Sequence, residues 1–402
     1  MPQVNLKKSN PDSLGIYIHI PFCKSKCKYC DFLSAPSDDA TKSTYVNALL
    51  KEIKLYGFRF GKHGINRAIS TIFIGGGTPS ILPSIQICRI LDTIQEYFSL
   101  KADAEITIEC NPGTLDKIKL TDYKSVGINR LSLGLQTTNE AELKAIGRIH
   151  TYQQFLESYN TASLLGFKNI NIDLMSALPY QTINSYKDTL EKILSLKPSH
   201  ISSYSLILEE GTPLYDFINA GNSHLLPDED TEREMYYLTD EMLSLAGYNR
   251  YEISNYSKPG YECRHNLSYW ERKDYLGIGL GASSFINETR YRNITNLKEY
   301  IKLLDNSDFP DSGVNFLQCD ITPLSLNDQM EEYMFLGLRK TKGISISEFK
   351  SLFNKDIFDV FHKPLEKYEK LKLLTVNNDT IALTGHGIDV SNTIFSDFLL
   401  EE

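Results

Sequence analysis

Three cysteines crowd together between positions 23 and 30, in the segment HIPFCKSKCKYCDF, at Cys23, Cys27 and Cys30. Thiolates are soft ligands, and a Cys-x3-Cys-x2-Cys array can grip three corners of a cubane 4Fe-4S cluster while one iron keeps no protein ligand. An iron left open in this way can take a small molecule, which a fourth cysteine would prevent. Lys24, Lys26 and Lys28 alternate with the cysteines. Their charge would favour thiolates and offset a negative cluster, or they form only a solvated face. A structural zinc site made from the same thiolates and His19 is the competing reading, although zinc sites favour paired Cys-x2-Cys knuckles and no second pair occurs. The remaining cysteines, Cys88, Cys110, Cys263 and Cys319, are scattered and read as buried structural thiols. An odd total of seven, crowded in this way, points to metal or redox chemistry rather than to a disulfide framework.

Such a loop needs a rigid element to present it, and the cysteines follow directly on the apolar run GIYIHI at 15–20. Five further β-rich runs recur: STIFIG (70–75), EITIEC (105–110), RLSLGL (130–135), NINIDLM (169–175) and HISSYSLIL (200–208). Amphipathic stretches separate them, among them TYVNALLKEIKLYGF, SIQICRILDTIQEYF, FLESYNTASLLG and SYKDTLEKILSL, with a short helix near LTDYKSVG stopped by Gly127. Alternating strand and helix predict an α/β fold whose parallel strands are joined by right-handed crossovers. Six units fall short of the eight of a closed barrel, so a partial (β/α)6 TIM-like barrel is expected over 15–225, with its chemistry at the C-terminal strand ends.

Residues 1–14 read as an N-terminal arm and 226–315 as a connecting region, helical over TEREMYYLTDEMLSLAG and then polar loop. From 316 the chain reads as a small α+β module. Its expected parts are the helices LNDQMEEYMFLGLRK, SISEFKSLF and FDVFHKPLEKYEKL, the ribbon LLTVNNDTIAL turned at Asn377-Asn378, and a last helix GIDVSNTIFSDFLL. Three helices and a ribbon resemble a winged helix, but a net charge of -9 argues against a nucleic-acid partner. Hydrophobic residues at 41% and charged residues at 23% are ordinary for a globular protein. No apolar run approaches the roughly 20 residues of a membrane span, and MPQVNLKKSN lacks the apolar core of a signal peptide, so a cytoplasmic protein is expected.

Ordered along the chain, YIHIPFC, FIGGGTPS, TIECNPGT, RLSLGLQ, IGRIH, NIDLMSALP and RHNLSYW resemble the coproporphyrinogen III oxidase-like branch of the radical S-adenosylmethionine (SAM) proteins. The resemblance implies a 4Fe-4S cluster on Cys23, Cys27 and Cys30 with SAM on the open iron. It also implies SAM contacts from Tyr17, Gly76 and Glu109, and from Gln136, Arg148 and Asp173, which match the positions for a second SAM in decarboxylating relatives; beside them Gly77 would add bare backbone and Thr78 a hydroxyl, and Tyr29, between two of the cysteines, would stack on or shield the site or serve only packing. Carboxylates suit ribose hydroxyls or a cationic amine, and arginine suits a carboxylate. His19 and His150 would orient the site.

Two features resemble the HemW-type heme-chaperone branch more than the decarboxylases. Where the decarboxylase pattern has a further Cys, this chain has Phe32, and the motif His-Asn-Leu-x-Tyr-Trp is met by His265, Asn266, Leu267, Tyr269 and Trp270. On chemistry alone His265 reads first as a loop histidine hydrogen-bonded to Tyr or backbone; the resemblance reverses that preference and implies heme as cargo, with His265 as its axial ligand and Cys263 a lesser candidate. Implied partners are acceptor hemoproteins such as respiratory enzymes, which would bring the protein to the inner face of the membrane, and an electron donor of flavodoxin or ferredoxin type. Oxidative decarboxylation of coproporphyrinogen III and a zinc-stabilised binding protein are the alternatives.

Overall fold

A computed structural model describes residues 13–306 and 315–400, so the expected arm at 1–14 lies almost wholly outside the described residues. Six strands run in parallel order: β1 (Ser13–Ile20), β2 (Ala68–Gly76), β3 (Leu100–Cys110), β4 (Arg130–Gln136), β5 (Asn169–Ser176) and β6 (His200–Ser205). They carry the runs seen in the sequence, though β6 stops at Ser205 rather than at 208. Between them lie α1 (Asp39–Phe60), α2 (Ser84–Tyr97), α3 (Lys117–Ser125), α4 (Glu140–Ala145), α5 (Tyr152–Leu164) and α6 (Ile183–Leu196). On β1 the residues Leu14, Ile16, Ile18 and Ile20 are fully buried in the core shared with the helices. Period-two alternation therefore turns Gly15, Tyr17 and His19 to the concave side, where Tyr17 meets Phe73 of β2.

The structure departs from the sequence reading beyond β6. The stretch read as connecting loop supplies α7 (Pro213–Phe217), α8 (Glu229–Leu245), β7 (Asn249–Glu252), β8 (Asn255–Ser257), α9 (Arg264–Trp270), β9 (Tyr275–Ile278), β10 (Ser283–Ile286), β11 (Thr289–Asn293) and α10 (Leu297–Asp305). With β12 (Gln318–Pro323) these strands extend the sheet from both edges to 12 strands, in the order β12-β11-β10-β9-β1-β2-β3-β4-β5-β6-β8-β7. The barrel stays open, but its β1 and β6 edges are paired, which removes two exposed strand edges. One buried latch joins this extension to the barrel: the carboxylate of Glu52 accepts from Gly279 N at 2.9 Å, Asn293 Nδ2 at 2.6 Å and the Tyr300 hydroxyl.

The C-terminal part holds α11 (Leu326–Gly337), β13 (Ile344–Ser345), α12 (Ile346–Phe353), α13 (Ile357–Val360), α14 (His362–Lys370), β14 (Leu374–Asn377), β15 (Thr380–Leu383), α15 (Gly385–Asp389) and α16 (Ser391–Ser396) around a core of its own. The helix expected over FDVFHKPLEKYEKL is broken at Phe361. Pro364 has no N–H for the carbonyl of Val360, and its ring would collide there, so a new helix starts at His362. The last helix is likewise split, and the ribbon gains β13 as a third strand, in the order β13-β15-β14. This domain grips the barrel at the end of α9 and at β11: Arg272, just past α9, and Arg290 of β11 both bond to Glu332 of α11, at 3.1 and 2.7 Å, and Arg339 lies over the Trp270 ring at 4.6 Å. Among the described residues no helix is long and apolar enough to cross a membrane.

Candidate functional site

The cysteine loop leaves the C-terminal end of β1 and is folded by backbone bonds to its neighbours. Cys23 N donates to Ala35 O at 3.2 Å, Gly77 N to Ile20 O at 2.9 Å and Thr78 N to Phe22 O at 2.7 Å, tying the loop to the turn after β2. Lys28 N donates to Ile146 O at 3.0 Å, and Leu214 N to Lys28 O at 2.9 Å. The last bond matters most for shape, because it joins the loop after β1 to the segment after β6 across the open side of the barrel.

Beneath this loop lies a cavity of ≈ 320 Å³, lined at the C-terminal strand ends by Cys23, Cys27, Cys30 and the turn Gly76–Gly77–Thr78. Tyr29, Glu109, Gln136, Arg148 and Asp173 line it too, so the folded chain brings these sequence candidates to one place. Asn111, Ser132 and Tyr204 also face the cavity and were not read from the sequence. Asn111 sits inside TIECNPGT, and Ser132 two residues before Gly134 on β4, so the inward alternation of the strands could have found both.

Two glycines are required by close approach. A Cβ on Gly77 would stand 2.6 Å from Phe22 O and 2.9 Å from Cys23 Sγ, while Gly76, at φ +113, would place one 2.7 Å from the His19 ring. Thr78 Oγ1 donates to Cys23 Sγ at 3.6 Å and accepts from Asn111 Nδ2 at 3.1 Å. Arg148 Nη1 donates to Cys27 Sγ at 3.6 Å, and Nη2 to Asn111 Oδ1 at 2.8 Å and to Gly134 O; its buried Nε keeps no protein partner. Burial raises the Cys30 thiol, and the Phe32 N–H and Lys26 oppose that shift.

Among the described residues, no three His, Cys, Asp or Glu side chains converge on one point as a single ion requires. The three thiols instead share the wall of one cavity, an arrangement that suits a cluster with one thiolate on each of three irons. The donor set therefore fits a 4Fe-4S cluster, and the turn Gly76–Gly77–Thr78 lines the same cavity beside it.

Two half-buried carboxylates face the same space. Glu109 accepts from Gly76 N at 3.1 Å; burial and then the neighbouring charge of Asp173 push its pKa up to about 8. Asp173, held by Asn171 Nδ2 at 2.6 Å and Ser132 Oγ at 3.2 Å, is raised by burial against those bonds. A cation entering the cavity would meet carboxyls ready to ionise.

Tyr17 and His265 are not among the residues that line this cavity. Tyr17, expected against SAM, is absent from the cavity wall; its hydroxyl bonds to His19 Nδ1 at 3.0 Å, and His19 Nε2 bonds to Leu33 O at 2.9 Å, so His19 fastens the far end of the cysteine loop. His265, expected as an open heme ligand, is 1% exposed. Its Nδ1 bonds to Thr71 Oγ1 at 2.8 Å and its Nε2 to Tyr269 OH at 2.7 Å, while its ring stacks on Phe73 at 5.3 Å. Burial and then Arg130 push its pKa down to about 3, so the ring is neutral with both nitrogens engaged. An iron at either nitrogen would have to displace one of these hydroxyls.

The reason is topological. Helix α9 precedes β9, whose Tyr275 pairs with Gly15 near the start of β1, so the motif closes the N-terminal end of the barrel. Glu105 accepts from Arg264 N at 3.1 Å and His265 N at 3.0 Å, fixing the first turn of α9. Cys263 is fully buried beside that carboxylate, and burial pushes its thiol up to about 12. His150 is held neutral, its pKa pushed down to about 3 by burial and Arg148.

A profile of the Radical SAM superfamily matches residues 17–193, and one of the HemN C-terminal domain matches 324–390. The chain is 38% identical to the heme chaperone HemW of Lactococcus lactis over 96% of its own length and 97% of that protein. It is 37% identical to the heme chaperone HemW of Bacillus subtilis, over 96% and 99%, and 41% identical to that of Escherichia coli, over 67% and 69%. The solved structure of coproporphyrinogen III oxidase (HemN) from Escherichia coli, described as a radical SAM enzyme, superposes with a TM-score of 0.83 at 25% identity, covering 96% of this chain and 90% of that one.

Proposed function

The chain belongs to the radical SAM superfamily and, within it, to the HemW family of heme chaperones, and from that membership we propose that it binds heme as cargo and delivers it to acceptor hemoproteins. One observation carries the reading: the three cysteines and the SAM-suited polar groups line a single cavity at the C-terminal strand ends, in a chain that follows heme chaperones nearly end to end. Bound on Cys23, Cys27 and Cys30, the family's 4Fe-4S cluster supplies a reducing electron and an open iron that the amino and carboxylate groups of SAM can chelate.

The chain's own residues then do the positioning. Gly76 and Gly77 let the turn after β2 pack against His19 and the cysteine loop, Thr78 steadies the Cys23 sulfur, and Arg148 holds positive charge against Cys27. Glu109 and Asp173 offer carboxylates to the cationic and hydroxyl groups of SAM, and Gln136, Tyr29 and Tyr204 line the same cavity. The electron comes from a flavodoxin- or ferredoxin-type donor, and the acceptor is a hemoprotein such as a respiratory enzyme met at the inner face of the membrane.

Glu109 makes SAM binding pH-dependent. Its pKa, raised from 4.5 to about 8, means that this group's contribution to stability is present below about 4.5 and lost as pH rises through about 8. A cationic ligand lowers that pKa, so binding near neutrality expels a proton and affinity climbs with pH until about 8. Calorimetry in buffers of different ionisation enthalpy is expected to show greater proton release at pH 7 in the parent than in Glu109→Gln, where only the proton of the chelating SAM amine and that of Asp173 remain; equal proton release in both would remove Glu109 from the SAM site.

For the function itself, heme-loaded protein mixed with an apo-hemoprotein is expected to lose its heme absorbance as the acceptor gains activity. Retention of heme by the loaded protein, or conversion of coproporphyrinogen III to protoporphyrinogen under reducing conditions with SAM, contradicts the chaperone reading.

A further inference from the structure

Large apolar side chains face solvent in the two segments that flank the cavity. Phe32 is 61% exposed and Leu33 39%, in the loop after β1; Ile207 is 69% exposed and Tyr204 37%, after and at the end of β6. These two segments are the ones joined across the barrel's open side by the Leu214–Lys28 backbone bond. Their neighbours Tyr29, Leu206 and Leu208 pack against the buried cluster of Ile146, Met175, Leu178, Leu214 and Ile218, so both segments rest on one apolar base. Phe32, Tyr204 and Ile207 all line the cavity itself. An exposed apolar patch continuous with a polar ligand cavity marks a binding surface more than a chance of composition.

We propose that this rim is the docking platform for the porphyrin: heme lies with one face on Phe32 and Ile207, over the SAM-filled cavity. The proposal rests on the heme-chaperone reading and supplies the place that His265 does not. At ≈ 320 Å³ the cavity stands at the small end of the ~300–1,000 Å³ of ligand sites, room for one SAM-sized molecule, so a broad planar macrocycle must sit on the mouth. Charge orients it. Lys26 Nζ donates to Phe32 O at 2.9 Å and, as an ammonium, keeps two more donors for a propionate. Asp31 and Glu209 at the same mouth repel propionates, which turns the carboxylate edge of heme toward Lys26. A disc held on an open rim by apolar contact and one charged edge can be passed to a partner without unfolding any part of the barrel.

The test is a heme titration of the anaerobically reconstituted protein with SAM present, read by Soret absorbance, on the parent, on Phe32→Ser/Ile207→Ser and on His265→Gln. Both rim residues are exposed, so their replacement leaves the core intact, and unchanged iron, sulfide and SAM binding verify this. The expected result is a loss of heme affinity of about tenfold or more in the rim variant, from the apolar contact removed, and parental affinity in His265→Gln. Parental affinity in the rim variant, or a loss confined to His265→Gln, overturns the placement. Absence of heme binding by the parent overturns the chaperone reading itself, which separates the two failures.

Discussion

Cys27→Ala, reconstituted with iron and sulfide without oxygen, is expected to hold no stable 4Fe-4S cluster and to show no SAM-dependent spectral change. Three thiolates are the minimum protein ligation for a cubane that keeps one iron open, and each is held by a different device. Cys23 rests against Thr78, Cys30 N closes a turn onto Cys27 O at 3.3 Å, and Cys27 faces the Arg148 guanidinium. Of the other cysteines, Cys110 lines the same cavity, but it is buried with its Sγ turned to Ile108 O and its thiol pushed well up by burial; Cys263 is buried beside Glu105, and Cys88 and Cys319 lie on α2 and β12. The loop itself is tied down by backbone bonds that do not involve Sγ, so the variant is expected to melt near the parental apo-protein. Retention of parental iron and sulfide would show that the cluster sits elsewhere.

Gly77→Ala tests the same site without touching a ligand. The added methyl must fit within 2.6 Å of Phe22 O and 2.9 Å of Cys23 Sγ, distances no relaxed Cβ tolerates, so either the turn after β2 or the cysteine loop has to move. Groups that orient a metal ligand typically cost about 10- to 100-fold in metal affinity when disturbed, and a loss in that range is expected in cluster retention against a chelator. Thr78→Ala, which removes a hydroxyl and adds no bulk, is expected to lose less. Cluster retention in Gly77→Ala equal to that of the parent would mean that the close approach has no bearing on the cluster.

The contrast between the two ends of the barrel shows what a sequence can and cannot disclose. The top was legible because its information is local: each β-branched run ends in the motif it presents, and the cysteines are spaced along one loop. The floor was not. The motif around His265 has ligand-like residue types, but its burial depends on α9 being drawn under the barrel by Glu105, some 160 positions away along the chain. Strands β7 to β11 escaped notice because three to five residues, several of them polar, are too few to show alternation; their structure comes from pairing to the edges of a sheet that already exists. The break at Phe361 was written in Pro364, a local signal outweighed by the apolar periodicity around it.

The α9 motif thus acquires a mechanical meaning. Tyr269 stands on Tyr275 at 4.5 Å and bonds to His265, which stacks on Phe73, itself against Tyr17, whose hydroxyl reaches His19 below the cysteine loop. Rings and hydrogen bonds connect the surface gripped by the C-terminal domain with the loop that bears the cluster, and close packing makes that column stiff.

The claim beneath all of this is that three sulfurs at the head of β1 carry an iron cluster with one corner free for SAM. It is tested most directly by electron paramagnetic resonance of the dithionite-reduced protein, prepared without oxygen, before and after SAM is added. About four irons per chain and a reduced-cluster signal whose g-values shift with SAM are the expected result. A signal indifferent to SAM, or zinc in place of iron in anoxic material, would contradict it.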